Sequence, residues 1–495
     1  MTQSRSTPFT PAALHRGVLL LAVAGLAACA QPLPPPGSST VAVPTQWSMA
    51  EALPDQPPTD LVSWWGRFGD ATLSALIEEA LGHSPTVQSA VAALRQSRAM
   101  AGVAAASLGP SASGSGSAQR NYSDAQGFRN SFGLGLDASW EPDLFGGTRA
   151  GVEAAEADAR ATEMALVNVQ VSLAAEVALA YIDLRNQQAR LKIARENLAA
   201  QDDALQIASW RNQAGLVSSL DVELARAAAE QTRAQVPLLQ TALSQTRNRL
   251  AVLTGRAPAD LAALPAAPVP LPPENLALAF PADTLRQRPD VRQAEAQVQA
   301  AYARTKQAGA ARYPSLRLGG SIGLQSLTLG SLLNGSSVIG SLLAGLTQPI
   351  FDGGAIAGRL QAQEAALDQA RAAYGSRVLQ ALQDVEDALA ALQGDRVREG
   401  SLNAAATAAR NAELLARQQY QAGLIDFNTV LQSQRTLLSA QDAQASVAAS
   451  LAADHVRLYK ALGGGWPPRP QAPQMPQTRP TPIRCPPPRV ETPHD

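Results

Sequence analysis

Few side chains in this chain are placed to do covalent chemistry. The only histidines are His15, His83, His455 and His494, and none has a spaced partner for metal binding or nucleophilic catalysis. The paired acids Glu78-Glu79 and Asp202-Asp203 fall on expected helix surfaces, where solvated faces explain them better than acid–base work. Two glycine pairs, Gly146-Gly147 and Gly353-Gly354, stand where strands hand over to helices. Such turns can cradle phosphate, but no P-loop lysine or dinucleotide fingerprint accompanies them, so tight turns are the better reading. No cofactor is expected. The net charge of −1 over 495 residues gives no reason to expect nucleic-acid binding.

The residue with a definite chemical expectation is Cys29. It follows a basic start with Arg5, His15 and Arg16, a short apolar run from Val18 to Ala28, and the small residues Leu26-Ala27-Ala28. That run is short of the roughly 20 residues that a membrane helix needs. The pattern resembles a bacterial lipobox, which implies a lipid on the thiol of Cys29 and removal of residues 1–28 as a signal peptide. Cys485, the only other cysteine, lies in a Pro-rich tail and reads as incidental; there is no disulfide framework. No stretch after Cys29 is expected to be long and apolar enough for a membrane helix.

The elements that carry these residues come twice. Pro142-Asp143-Leu144-Phe145-Gly146-Gly147 opens one Ala-rich helical tract and Pro349-Ile350-Phe351-Asp352-Gly353-Gly354 opens another. The tracts break at Gly215 and Gly423 and end at Gly255 and Gly463, with matching landmarks 207 or 208 residues apart. Upstream, Pro85 matches Pro289 and Pro110 matches Pro314, 204 residues apart. A fixed period of this length marks a duplicated half-subunit. Thr148 to Asn212 and Ala355 to Gln421 predict helices of roughly 100 Å. Leu184, Leu191, Leu198 and Leu205 at heptad spacing require side-by-side packing. Return helices are expected from about Val217 to Thr254 and from about Ile425 to Leu462. Each half is then an antiparallel hairpin tipped by a glycine.

Four segments follow a period of two instead. Ser111 to Gln119 alternates Ser with Ala or Gly; Phe132, Leu134, Leu136, Ala138 and Trp140 alternate with polar residues or Gly. Leu316, Leu318, Ile322 and Leu324 do the same, as do Val338, Leu342, Ala344 and Leu346. Segments of about 10 residues with one apolar face suit outer-membrane barrel strands, the alternative being a soluble sheet with one buried face. The expected boundaries are 1–28 signal peptide, 29–63 lipidated linker, 64–255 first repeat, 256–281 connector, 282–464 second repeat and 465–495 Pro-rich disordered tail.

The lipobox, the duplicated halves, two strands per half and the paired hairpins together resemble the outer-membrane factors of tripartite efflux systems. These are the TolC-like proteins, in particular the efflux lipoproteins of the NodT type. Local motifs carry the likeness: Trp140 through Gly147, Arg288-Pro289-Asp290-Val291, Gly323-Leu324-Gln325-Ser326 and Pro349 through Gly354. It runs from about Trp64 to Gly464. The resemblance implies a mainly α fold with a membrane β-barrel. Long α-helical hairpins would form a periplasmic α-barrel joined to a trimeric 12-stranded outer-membrane β-barrel. It implies a homotrimer and passive conduction of small molecules, with a periplasmic adapter protein, an inner-membrane efflux transporter and outer-membrane lipid as partners. The hairpin tips, Gln213, Ala214, Gly215, Leu216, Val217 and Ser218 with Gln421, Ala422, Gly423, Leu424, Ile425 and Asp426, would meet the adapter. In the family, acids just past the second tip commonly ring a constriction. This chain departs there, with Thr429 and Gln432, then Arg435, while Asp221 stands opposite Thr429 in the first half. Asp221 and Arg435 either face a pore or lie on the outer face. The competing class is a periplasmic or surface coiled-coil lipoprotein without a channel, which would lack the alternating strands.

Overall fold

The computed structural model describes residues 42–48, 61–125, 127–273, 281–333 and 337–466. Cys29, Cys485, the expected signal peptide and nearly all of the Pro-rich tail lie outside the described residues.

A 3-10 turn at Trp64–Phe68 precedes α1 (Ala71–His83) and α2 (Pro85–Ala106). Asp70 starts α1 because its carboxylate accepts from Thr72 N at 2.8 Å and Leu73 N at 3.1 Å, donors that the first turn leaves unpaired. Pro85 occupies the first turn of α2, where a missing N–H costs nothing. Strands β1 (Ser111–Ser123) and β2 (Gly127–Trp140) follow. Next come the 67-residue α3 (Gly147–Gln213) and its return helix α4 (Ser219–Leu253). The second half repeats the order: α5 (Pro281–Gln287), α6 (Pro289–Ala310), β3 (Ser315–Ser326), β4 (Val338–Thr347), the 67-residue α7 (Ala355–Gln421) and α8 (Phe427–Ala461).

The four strands form one antiparallel sheet in the order β1-β2-β3-β4. Its register brings Leu134 opposite Leu324 and Leu136 opposite Ile322, so both halves share one apolar face. β1 and β4 are edges.

The long helices are thin where they run together. Ala150, Ala154, Ala157 and Ala161 form the buried seam of α3 near the sheet, and α6 crosses there. The main core sits farther along, where α1, α3, α4, α7 and α8 meet. Trp64 is its centre, with ring centroids 5.6 Å from Tyr459, 5.7 Å from Trp65 and 6.0 Å from Phe68. Tyr181 donates to Asp70 at 2.6 Å, tying α3 to the cap of α1. Segments expected to be linkers also pack here. Trp47 is buried in this core, and Ser48 N donates to Glu386 at 2.8 Å. Leu261 is buried, and Gln188 donates to the carbonyl of Leu264 at 2.9 Å.

One expectation needs correction. Part of α3 is long and apolar enough to cross a membrane by length and composition. Half of that window is buried against the other helices, so its apolar side chains serve the core instead.

Candidate functional site: sheet faces and hairpin tips

The sheet has two chemically distinct faces. On one, Leu134, Leu136, Ile322, Leu324, Val338, Leu342 and Leu346 share a side, most of them exposed. On the other, hydroxyls pair across strands: Ser111 with Ser139 at 3.0 Å and Ser321 with Ser341 at 2.7 Å. Ser115 donates to Asp137, and Gln325 to Ser131, both at 3.4 Å. An apolar outside backed by a polar inside is what a strand between lipid and water requires. β4 departs from strict alternation: Ile339 and Leu343 lie on the polar side, opposite Gly323 and Gly319.

Two turns fasten the sheet to the helices. Asp143 accepts from Arg149 N at 2.8 Å, and Asp352 accepts from Ile356 N at 2.6 Å and Gly354 N at 2.9 Å. The duplicated Asp-and-Gly motif is therefore a helix start: its carboxylate takes first-turn donors and its glycines take positive φ, 79° at Gly146 and 90° at Gly354.

At the far end the two tips lie side by side. Gly215 has φ 71° and Gly423 φ 77°, and both have open space where a side chain would begin. Gly215 N donates to Asn212 O and Leu216 N to Arg211 O; Gly423 N donates to Tyr420 O and Leu424 N to Gln419 O. Leu216 and Leu424 stay exposed at the outermost turn. Ala208, Ala225, Ala228, Phe427 and Leu431 form a small core behind the tips, and the Arg211 guanidinium sits 4.8 Å from the Tyr420 ring centre.

The expected aperture residues divide by this geometry. Ser218 and Asp221 make a reciprocal cap: Ser218 N donates to Asp221 at 3.0 Å and Asp221 N donates to the Ser218 hydroxyl at 3.2 Å. In the second half the same positions exchange roles. Asp426 is the cap, accepting from Thr429 N at 2.8 Å and from the Thr429 hydroxyl at 2.6 Å. These two bonds hold the Asp426 carboxyl below its usual range. Asp221 and Thr429 are thus engaged in starting helices. Gln432 and Arg435 are exposed farther along α8, away from its buried Val430, Leu431 and Gln434.

Sequence reasoning passed over this exchange, although the spacings Ser218-x-x-Asp221 and Asp426-x-x-Thr429 carry it. It also passed over Arg288. That buried guanidinium donates to Asp290 and Asp384, each at 2.8 Å, and to the carbonyl of Ala461 at 3.1 Å. The quoted Arg288-Pro289-Asp290-Val291 motif is thereby a clasp between α6, α7 and α8. Among the described residues no group of three or more His, Cys, Asp or Glu side chains is arranged to hold a metal.

The family profile described as "Outer membrane efflux protein" matches residues 76–256 and 280–464. The pyoverdine export outer membrane protein OpmQ of Pseudomonas putida is 34% identical over 472 residues, covering 92% of this chain and 98% of that relative. The outer membrane protein OprJ of Pseudomonas aeruginosa is 31% identical over 434 residues, covering 86% and 90%. Among solved structures, the outer-membrane channel OprN superposes with a TM-score of 0.82 at 32% identity, covering 88% of this chain and 99% of that one. The open state of the Neisseria gonorrhoeae MtrE outer membrane channel gives 0.79 at 27% identity, covering 88% and 99%. A channel-less coiled coil does not account for the sheet or for these likenesses. The chain belongs to the outer membrane efflux proteins, TolC-like channels of the outer membrane that extend into the periplasm.

Proposed function

We propose that three copies of this chain assemble into one duct that carries small molecules outward. An inner-membrane transporter and a periplasmic adapter would deliver them, and the duct itself needs no covalent chemistry. The observation that carries this reading is a mismatch between the two halves. Where α6 crosses α3, Gly151 gives it room: a side chain begun at Gly151 would come within 2.9 Å of Gln307. The matching residue of α7 is Gly358, and there nothing lies within 4 Å. The seam of α3 is buried, but the matching Ala357, Gln361, Glu364 and Asp368 of α7 are exposed. The missing neighbour in the second half has the shape of α2, the counterpart of α6. Within one chain α2 lies beside α3 and cannot fill that place, but the α2 of a second copy can. The unpaired edges of β1 and β4 argue the same way, because lipid cannot satisfy their backbone groups. Three copies of four strands would close a 12-stranded barrel.

On this reading, residues 1–28 are a signal peptide and Cys29 carries lipid in the outer membrane. Residues 64–255 and 282–464 are the two repeats, joined by a packed connector. Gln213 to Ser218 and Gln421 to Asp426 form the adapter-facing rim, with Leu216 and Leu424 as its apolar points. Gln432 and Arg435 are the aperture candidates that remain free of capping duty, so a constriction here is less acidic than an acid-ringed one.

Two measurements on detergent-solubilised protein test the proposal together. Mass determination should give a trimer, and planar-bilayer recording should give discrete conductance steps. A stable monomer, or a trimer without conductance, would refute the shared duct. Gln432→Asp should shift the reversal potential in a salt gradient toward cation selectivity. An unchanged potential places Gln432 outside the constriction.

A further inference from the structure

The apolar face of the sheet carries one charge. Among the paired residues on that side, only Arg120 of β1 is charged. It stands directly opposite Asn130, and the next pair on the same side is Tyr122 with Phe128. The guanidinium carbon lies 4.6 Å from the centre of the Phe128 ring, and the Tyr122 and Phe128 centroids are 5.0 Å apart. Both rings are largely exposed. Among the described residues no carboxylate pairs with Arg120. A guanidinium resting on a ring face still points its N–H groups outward from its edge, so its donors stay open.

Its place along the strands is also particular. Trp140 stands on the same face at the helix end of β2, ten residues from Asn130. At about 3.4 Å per residue and the usual tilt of barrel strands, that distance spans roughly 26 Å across the membrane, close to the ~25 Å height of an apolar band. Arg120 therefore marks the border of the band farthest from the helices. The helices extend into the periplasm, so this border is the outer one. Toward the middle of the band β1 continues on this face with the small Ala118, Gly116 and Gly114. Beside the glycines the sheet holds an apolar recess of about 660 Å³, walled by Leu134, Leu136, Ile322, Leu324 and Val338.

We propose that Arg120 holds the phosphate of an outer-leaflet lipid, with Tyr122 and Phe128 flanking the headgroup and one acyl chain lying in the recess. The arrangement is that of an amphiphile: a cation with open donors at the border and an apolar recess leading inward from it. The planar fork of an arginine matches two oxygens of one phosphate, and the pair gains strength where water is scarce. A lone cation on this face costs little at headgroup level and more toward the middle of the band, so its place at the border fits a headgroup partner. The proposal rests on this face meeting lipid. It does not depend on how many copies close the barrel.

Native mass spectrometry of the full-length protein in mild detergent reads the lipid it retains. Dioleoyl phosphatidic acid and dioleoylglycerol are titrated separately, since they share their chains and differ in the phosphate. The wild-type protein should hold the phosphatidic acid about tenfold more tightly. Arg120→Ala should remove that preference, and Arg120→Lys, which keeps the charge but loses the fork, should keep only part of it. Ile322→Trp, which fills the recess, should weaken phosphatidic acid binding with Arg120 intact. Equal retention of the two lipids by the wild-type protein would overturn the site, as would an unchanged preference in Arg120→Ala. Displacement of the lipid by excess inorganic phosphate would make this a free-anion site and overturn the lipid as its occupant. A separate measurement tests the face itself. Leu342→Trp, on the same side and 91% exposed, is reconstituted in vesicles whose acyl chains are brominated. The added fluorescence should be quenched. Quenching together with an unaltered Arg120→Ala would overturn the headgroup site alone; no quenching would overturn the lipid-facing reading and the site with it.

Discussion

Helices α2 and α6 are counterparts, each 22 residues long and each opened by proline. Their surroundings differ sharply. Nine residues of α6 are buried, from Pro289 to Thr305, against only Val87 and Leu94 in α2. The cause is position, because α6 lies between α3 and α7 whereas α2 packs chiefly on α3 alone among the long helices. The side chains agree: α6 sends Arg304 to Asp158 and Lys306 to Glu153, but α2 presents exposed Met100 and Val103. A repeated unit in two environments works as its own control. The less buried copy shows where the single chain is incomplete.

The sharpest way to break this comparison is to charge the open face of α2. Val103→Asp should leave helicity by circular dichroism unchanged and abolish the trimer by mass measurement, because Val103 is 64% exposed in one chain. A normal trimer from that variant would remove α2 from the seam.

Next is the start of α6. Arg288 occupies the place that Ser84 holds before α2, and both are buried. Removing Arg288 strands Asp290, whose side chain is 18% exposed, while the half-exposed Asp384 is left to solvent, so Arg288→Ala should cost about 3 kcal/mol in denaturant unfolding. Ser84 makes no side-chain cap bond, so Ser84→Ala should cost less than about 1 kcal/mol. Equal costs would mean that the two junctions are held by the same forces.

The return helices differ in whether they carry an internal proline. Pro237 lies inside α4 on its exposed side, and the matching residue of α8 is Ala445. Ala445→Pro should destabilise by about 3 kcal/mol, through the lost backbone bond and the ring clash, while Pro237→Ala should stabilise. Thermal denaturation of the pair reads both signs.

The smallest effects belong to the tips. Ser218→Ala should cost about 1 kcal/mol. Asp426→Ala should also destabilise, but only above its folded pKa. That value is lowered by the bonds from Thr429, so the contribution is complete above the unfolded carboxylate value and is lost as pH falls through the folded one. A pH titration of both variants should show this dependence for Asp426→Ala alone.

Much of the architecture was legible because it is periodic. Heptads from Leu184 to Leu205, alternation from Phe132 to Trp140 and the paired glycines at 215 and 423 each encode a backbone state within a few residues. The apolar window of α3 went unnoticed, since no stretch after Cys29 was expected to be long and apolar enough for a membrane helix. Apolar residues of that density suit a membrane or a core equally, and only the neighbours that bury them decide between the two.

The sequence alone determined the elements, their duplication and the two faces of the sheet, since these depend on chain-local geometry and on side-chain alternation. Tertiary structure decided what contact between distant segments requires. It drew Trp47 and Leu261 onto the core, and set Arg288 between the start of α6, the middle of α7 and the end of α8. Burial and charge pairing depend on what lies across space, and no period along the chain records it.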